Sequence, residues 1–444
     1  MARRPRYDRR LPDPLLRPCR RPRRRYRITG DPDDLTQAHR HRRCRRPCCR
    51  HGPHRHLREV RRGRCPQPHS GSDLGVTEAH PQELSSFTTF RLGGPAPQVT
   101  VANTRDELLD FCAAHPLELS GQERSRVLFI GGGSNLLIAD AGFDGAVCVV
   151  RTTGVETAQT TTTDTRVTAE AGEDWDAFVA HTLDLGLSGL EALSGIPGSV
   201  GATPIQNVGA YGTEVGELIS SVEVFDRVAG QIRHLTAVEL EFGYRTSALK
   251  RAQIAAGAPQ FVVLSVAFDL QRSDESLPVR YAQLASTLDV EIGTRVPAAR
   301  VRENVIALRR SKGMVLDAAD HDSWSAGSFF TNPIVDDAET LPAEAPRYPV
   351  TDPLSGAKIA GKTKTSAAWL IEHAGFSKGF SLGEGLASLS TKHTLALTNR
   401  GHASTADVID LASTVVAGVE EAFGITLEPE PTFIGCSIDD GKRP

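Results

Sequence analysis

The sequence predicts an α+β protein behind a disordered, arginine-rich leader, and three features carry that prediction. The first is an abrupt change in charge: residues 1–70 hold 23 arginines, no lysine and six acidic residues, a net +17, while the remaining 28 basic and 48 acidic residues give −20. The second is that, from Leu84 onward, short strand-like segments alternate with amphipathic helical ones at no fixed repeat. The third is a pair of glycine-rich stretches, IGGGSNLLI (130–138) and SGIPGSVGATPIQNVGAYG (194–212), that fit neither a strand nor a helix.

At 444 residues, 39% of them apolar, the chain is long enough for two or three domains with substantial cores. The leader cannot build one of them, because runs of Arg, Pro and His bury too little to offset chain entropy. Five of the eight cysteines lie in it (Cys19, Cys44, Cys48, Cys49 and Cys65). No C-x-x-C pair is followed by a second, so no metal site is expected. Charge alone suits a nucleic-acid-binding tail, but aromatic residues do not interleave with the arginines, and no nucleic-acid partner is expected. Lysine-free runs of Arg, Pro, Gly and His are also what GC-rich DNA yields when translated upstream of a true start, and Val76 fits a GTG initiation codon. The leader shows no apolar run of the kind a secretory signal needs, and no stretch of about 18 apolar residues exists, so no membrane span is expected. Cys112, Cys148 and Cys436 are scattered, which fits a reduced cytoplasmic enzyme.

Along the remainder, QVTVANTRDELLDFCAAH reads as a strand followed by a helix begun near Thr104, with acidic residues in its first turn. RVLFI, LLI and AVCVVR are strands around the first glycine turn. RVTAEAGEDWDAFVAHTLDL is a strand and then a helix that buries Trp175, Phe178, Val179 and Leu183 on one face. Strands follow at ISSVEVFD and FVVLSVAFDL, the second alternating cleanly at its end. Helices are expected at PAARVRENVIALRRSKG, at KTSAAWLIEHAG and at STADVIDLASTVVAGVEEAFG, the last with Ser404 as N-cap and Gly424 as its stop. HTLALTNRG is a strand, and TLEPEPTFIG closes the chain.

The first glycine turn admits two readings. Consecutive small residues with exposed N–H groups form an anion-binding nest, or the turn is a tight strand-to-strand connection. It is neither G-x-G-x-x-G nor a P-loop.

Taken in order, this turn, IPGSVGATPIQNVGAYG, EFGYRTS, SAGSFFTNP and LEPEPTFIG resemble one family from about Leu84 to Gly435: UDP-N-acetylenolpyruvoylglucosamine reductase, flavoproteins that make UDP-N-acetylmuramic acid for bacterial peptidoglycan. The resemblance implies a two-lobed FAD-binding fold of the vanillyl-alcohol-oxidase type plus a C-terminal α/β substrate-binding lobe. It divides the chain into a leader (1–75), FAD-binding lobes at 76–150 and 151–318, and a substrate-binding domain at 319–444 whose last strand returns a glutamate to the flavin site. It implies non-covalent FAD, NADPH as reductant, UDP-N-acetylglucosamine enolpyruvate as substrate, and a monomer.

The resemblance also implies roles. Gly131, Gly132, Gly133, Ser134 and Asn135 would face the FAD pyrophosphate, and Ile196, Pro197, Gly198, Gly201 and Ala202 would lie along the flavin. Arg245 would pair with the enolpyruvyl carboxylate, for which a guanidinium is a planar, rigid partner. Glu430 would help stabilise the enolate, and Ser328 would give the proton. Tyr211, Tyr281, Lys312 and Asn332 would hold the diphosphate and sugar. Where some relatives carry a glutamine pair, this chain has Lys392 and His393, and no role is assigned there. The rivals are a flavin oxidase of the same superfamily that uses O₂, and a non-catalytic FAD- or nucleotide-sensing module. The first often attaches FAD through His or Cys, which the glycine turn lacks; the second leaves Arg245, Ser328 and Glu430 together without a purpose.

Overall fold

A computed structural model describes residues 81–119, 126–336, 338–351 and 357–441. The leader, its cysteines and Val76 lie outside the described residues.

The first layer is a parallel sheet. β1 (Gln98–Ala102) leads into α1 (Arg105–Ala114), and the entry is set by a capping box: Thr104 Oγ1 accepts the Glu107 N–H at 3.2 Å while Glu107 Oε2 accepts the Thr104 N–H at 3.1 Å. β2 (Val127–Ile130) runs into the first glycine turn, β3 (Leu136–Ile138) leaves it, and β4 (Ala146–Val150) follows. β4 lies between β1 and β2, parallel to both, and all five of its residues are buried, as the continuous apolar run AVCVV requires. β3 does not join this sheet. The two strands flanking the glycine turn therefore belong to different sheets, and the turn is not a hairpin.

The second layer is an antiparallel sheet built from β5 (Val155–Gln159), β6 (Asp164–Glu170), β7 (Ile219–Asp226), β8 (Gln231–Thr236) and β9 (Phe261–Arg272), in the order β8-β7-β9-β6-β5. β9 is buried over most of its length and alternates only at its end, where Phe268 and Leu270 point inward and Asp269 and Gln271 outward. α2 (Trp175–Asp184) packs on it: Trp175 and Phe178 lie 6.0 and 5.3 Å from the Phe268 ring, centroid to centroid. Leu183, expected on that face, is only partly buried, and Thr182 is buried instead. Trp175 also anchors the second glycine loop, since its Nε1 donates to Leu193 O at 2.9 Å and its backbone N–H to Gly198 O at 3.1 Å.

Two elements of this layer escape sequence periodicity. β8 (QIRHLT) is an edge strand with five of its six residues exposed. α3 (Ala248–Ala256) is short, capped by Ser247, and buries only Leu249 and Ala256.

After α4 (Ala282–Leu288) and α5 (Ala298–Ser311), the chain forms a third core. β10 (Tyr348–Thr351) and β11 (Lys358–Lys364) pair antiparallel, and β11, mostly exposed and rich in lysine, carries no apolar alternation to betray it. α6 (Ala367–His373), the hairpin of β12 (Ala387–Leu389) and β13 (Leu397–Asn399), and α7 (Thr405–Phe423) enclose Leu370, Leu397, Val408, Leu411 and Val415, all fully buried. α7 opens on Ser404 and closes on Gly424 at φ +65°, as read from sequence. β14 (Thr432–Ile434) then returns to pair in parallel with β3.

The start of α7 is tied to the residues that follow β3. Asp140 accepts the Thr405 and Ala406 N–H groups at 2.7 and 3.1 Å, and Thr405 Oγ1 donates to Ile138 O at 2.6 Å. A carboxylate on the first N–H groups of a helix satisfies donors that have no partner inside the helix and faces the positive end of the dipole. Asp140→Ala should cost about 1–2 kcal/mol and lower the thermal midpoint by a few degrees in a calorimetric scan.

Candidate active site

A cavity of about 640 Å³ opens beside the two glycine loops. These loops touch each other. A Cβ on Gly132 would sit 2.5 Å from Gly198 Cα, and one on Gly133, at φ +63°, would sit 1.9 Å from Phe87 O. Glycine is therefore required for loop-on-loop packing as well as for any ligand. The backbone N–H groups of Gly131, Gly132, Gly133, Ser134 and Asn135 donate to no protein acceptor among the described residues, so five consecutive donors are left at the cavity wall. Ile196, Pro197, Gly198, Gly201 and Ala202 line the same cavity.

The three residues expected to carry the chemistry arrive from three segments. Arg245 stands in the turn between Gly243 and Thr246 at φ +54°. Its Nη2 donates to Gly209 O at 3.0 Å, and its Nε lies 3.1 Å from Glu430 Oε1, an ion pair by distance with poor hydrogen-bond alignment. Gln206 Nε2 donates to the same Glu430 oxygen at 3.2 Å. Asn135 completes the network, its Nδ2 donating to Gln206 Oε1 at 3.0 Å and to Glu430 O at 3.2 Å. Ser328 is brought beside Glu430 by a short antiparallel pairing in which Glu430 N donates to Phe329 O at 2.8 Å and Thr331 N to Glu428 O at 3.0 Å. Arg245, Ser328 and Glu430 all line the cavity.

Burial pushes the Glu430 carboxyl up from its usual range, against the opposing pull of Arg245 and Lys250. Burial likewise lowers Lys250 and Lys364 and raises Glu214, all of them close to Arg245. Arg245, Lys250 and Lys364 thus share this neighbourhood with the carboxylates of Glu214, Glu428 and Glu430, three charges of each sign.

The expected substrate residues divide. Tyr211 and Tyr281 meet edge to face with centroids 5.6 Å apart, and Lys312 Nζ lies 5.9 Å from the Tyr211 ring while donating to Gln283 Oε1 at 2.8 Å. This group stands beside the cavity rather than in its wall. Asn332 is apart from it: its Oδ1 accepts the Ala367 N–H at 3.0 Å at the start of α6, and its backbone N–H points to Tyr244 Oη at 3.4 Å, next to Arg245. Lys392 pairs with Asp320 at 2.5 Å. His393 is pushed down to about 4 by burial and by the charges of Lys312 and Lys378.

The UDP-N-acetylenolpyruvoylglucosamine reductase C-terminal domain family matches residues 319–434, and the FAD binding domain family matches residues 113–236. The UDP-N-acetylenolpyruvoylglucosamine reductase of Saccharopolyspora erythraea is 50% identical over 380 residues, covering 83% of this chain and 99% of that protein. The chain belongs to the UDP-N-acetylenolpyruvoylglucosamine reductase family. The protein of that name from Cutibacterium acnes is 49% identical over 356 residues, 80% of this chain and 90% of that one. The crystal structure of the Thermus caldophilus reductase aligns with TM-score 0.52 at 25% identity, over 80% of this chain and 98% of that one.

The fold is an FAD-binding one, and the cavity fits that cofactor: five unused backbone donors suit a pyrophosphate, and the wall formed by Ile196, Pro197 and Gly198 leaves room beside the backbone. Family motifs did not single out Gln206, Lys250 or Arg309, which also line the cavity. Gln206 stands inside a recognised loop and Lys250 five residues after Arg245, but nothing in their spacing marks either. Arg309 is buried, its Nε donating to Gly195 O at 3.0 Å and its Nη2 to Met314 O at 2.9 Å.

Gly132→Val should force the two glycine loops apart, so the purified variant should lose most of its flavin absorbance per protein while keeping its far-ultraviolet circular dichroism. His393 should leave a signature in stability against pH. It stays neutral when folded, whereas the unfolded chain takes up a proton below about 6.5; its contribution is therefore complete above that value and lost as pH falls toward about 4. In His393→Gln, the stability lost between pH 7 and pH 4 should shrink by about 3 kcal/mol, measured by urea unfolding at each pH.

Proposed function

We propose that this chain reduces UDP-N-acetylglucosamine enolpyruvate to UDP-N-acetylmuramate for peptidoglycan synthesis, with FAD as bound cofactor and NADPH as reductant. The observation that carries this reading is the convergence of Arg245, Ser328 and Glu430 on one cavity whose other wall is the pair of glycine loops. Residues 76–150 and 151–318 would form the two FAD-binding lobes and 319–444 the substrate domain.

FAD, held by the two glycine loops, would supply the hydride for the terminal vinyl carbon, with NADPH as its source. The residues of the chain manage the rest. As the vinyl carbon is saturated, negative charge moves onto the neighbouring carbon and its carboxylate. Arg245, already fixed by Gly209 O and Glu430, faces that carboxylate with a preorganised positive charge; removing one such donor typically costs about 10² to 10³ in rate. Glu430 sits between Gln206 and Arg245, which holds its own carboxyl in place and the guanidinium in one direction. Ser328 makes no hydrogen bond to the protein among the described residues, so its hydroxyl is free to turn into the cavity and protonate the carbon. Tyr211, Tyr281 and Lys312 would receive the diphosphate and sugar at the cavity's edge, with Asn332 near Tyr244.

The two half-reactions test these roles separately. Purified protein should be yellow, bleach with NADPH under anaerobic conditions, and regain colour with the enolpyruvyl nucleotide. Ser328→Ala should bleach at close to the parent rate, yet regain colour more slowly by the ~10² to 10⁴ that loss of a positioned acid costs; Ser328→Cys should recover part. Normal return of colour in the alanine variant would remove Ser328 from the role.

A further inference from the structure

Lys250 has no part in the roles above, yet it lines the cavity beside Arg245 and Glu430. It is the third residue of α3. The start of that helix is pinned by Ser247, whose Oγ accepts the Lys250 N–H at 3.3 Å and donates to Ile205 O at 2.6 Å. From this fixed point the lysine side chain runs back over the preceding turn, and its Nζ donates to the backbone carbonyl of Arg245 at 3.1 Å. The ammonium takes this carbonyl although Glu430 and Glu428 both lie close enough to act on its charge.

The turn it reaches is an unusual one. Gly243 and Thr246 exchange backbone hydrogen bonds of 3.0 and 3.2 Å, leaving only Tyr244 and Arg245 to make the reversal. Arg245 takes the left-handed conformation at φ +54°, which costs a residue with a side chain about 1–2 kcal/mol. Such a conformation persists only where the surroundings over-determine it. At the far end of the residue, the guanidinium is held by Gly209 O and Glu430. At the near end, the hydrogen bond from Lys250 fixes the peptide plane from which the side chain departs.

We propose that Lys250 is a positioning residue for Arg245: it locks the left-handed turn by holding the Arg245 carbonyl, and so aims the guanidinium at the substrate carboxylate. The inference rests on the reading of Arg245 as the carboxylate-binding residue. Because Lys250 acts through Arg245, its loss affects the step in which the enolpyruvyl group is bound and reduced, and leaves reduction by NADPH alone.

Lys250→Met keeps the alkyl stem and removes the donor. Its flavin content and its rate of bleaching by NADPH should stay within about twofold of the parent, while return of colour with the enolpyruvyl nucleotide should slow by about 10- to 100-fold. A readout independent of turnover is the rise in thermal midpoint on adding UDP-N-acetylmuramate, which should be clearly smaller in the variant. Lys250→Arg, which still donates, should recover most of both. In an Arg245→Lys background, the same Lys250→Met change should cost less than about threefold, since the two residues act as one unit. The proposal is overturned if Lys250→Met regains colour at the parent rate, if it loses flavin and both half-reactions equally, or if its effect multiplies in full with that of Arg245→Lys. A parent protein that bleaches with NADPH but never regains colour with the enolpyruvyl nucleotide overturns the functional reading itself, whatever the variants do.

Discussion

Because β14 pairs in parallel with β3, directly after the first glycine turn, a carboxylate near the C-terminal end of the chain is delivered to a loop almost 300 residues earlier in sequence. Thr432 stands opposite Leu136, and the Thr432 N–H donates to Asn135 O at 2.9 Å. Glu430, two residues before, is thereby placed where Asn135 binds its carbonyl and Gln206 its side chain. The same segment pairs on its other side with Phe329–Thr331, which carries Ser328 to the cavity. One short strand therefore joins the glycine turn, the serine loop and the Arg245 turn. The contacts of Asp140 and Thr405 at the start of α7 hold the third core against β3 and keep that strand in register.

The glycine loops follow a related constraint. Two backbones approach so closely at Gly132 and Gly198 that no side chain fits between them. Such an approach normally serves to pair backbone groups, yet the N–H groups of residues 131–135 donate to no protein acceptor among the described residues. A row of unpaired donors along a cavity wall is favourable beneath an anion. Geometry and chemistry thus agree on why the stretch combines minimal side chains with maximal backbone exposure. The turn connects strands of different sheets, so it is not a hairpin, and it lines the cavity while doing so.

Much of this was legible in the residues. The capping box at Thr104 and Glu107, the N-cap Ser404 and the stop at Gly424 are local chemistry, decided by neighbours a few positions away, and the chain folds there as it reads. The buried strands AVCVV and FVVLSVAFDL announce themselves by composition. The edge strand QIRHLT, the lysine-rich KIAGKTK and the short helix ALKRAQIAA do not, because their faces are largely exposed and their periodicity carries no burial. Among the site residues, the motif-borne Arg245, Ser328 and Glu430 line one cavity, and Asn332 stands at the start of α6, away from the tyrosine pair.

By itself, then, the sequence determined the α+β class, the ends of its main helices, the two glycine loops and the family. Each of these depends on short-range propensity, on burial periodicity or on motifs whose order along the chain is enough to recognise. Tertiary structure alone decided that β2 and β3 part into different sheets, that Gly132 meets Gly198, that Glu430 lies between Gln206 and Arg245, and that Lys250 reaches back to the Arg245 carbonyl. Those outcomes join residues far apart in sequence or reverse a turn at a residue that disfavours it. They arise only when packing elsewhere has brought the partners within hydrogen-bonding distance, a condition that no local pattern encodes.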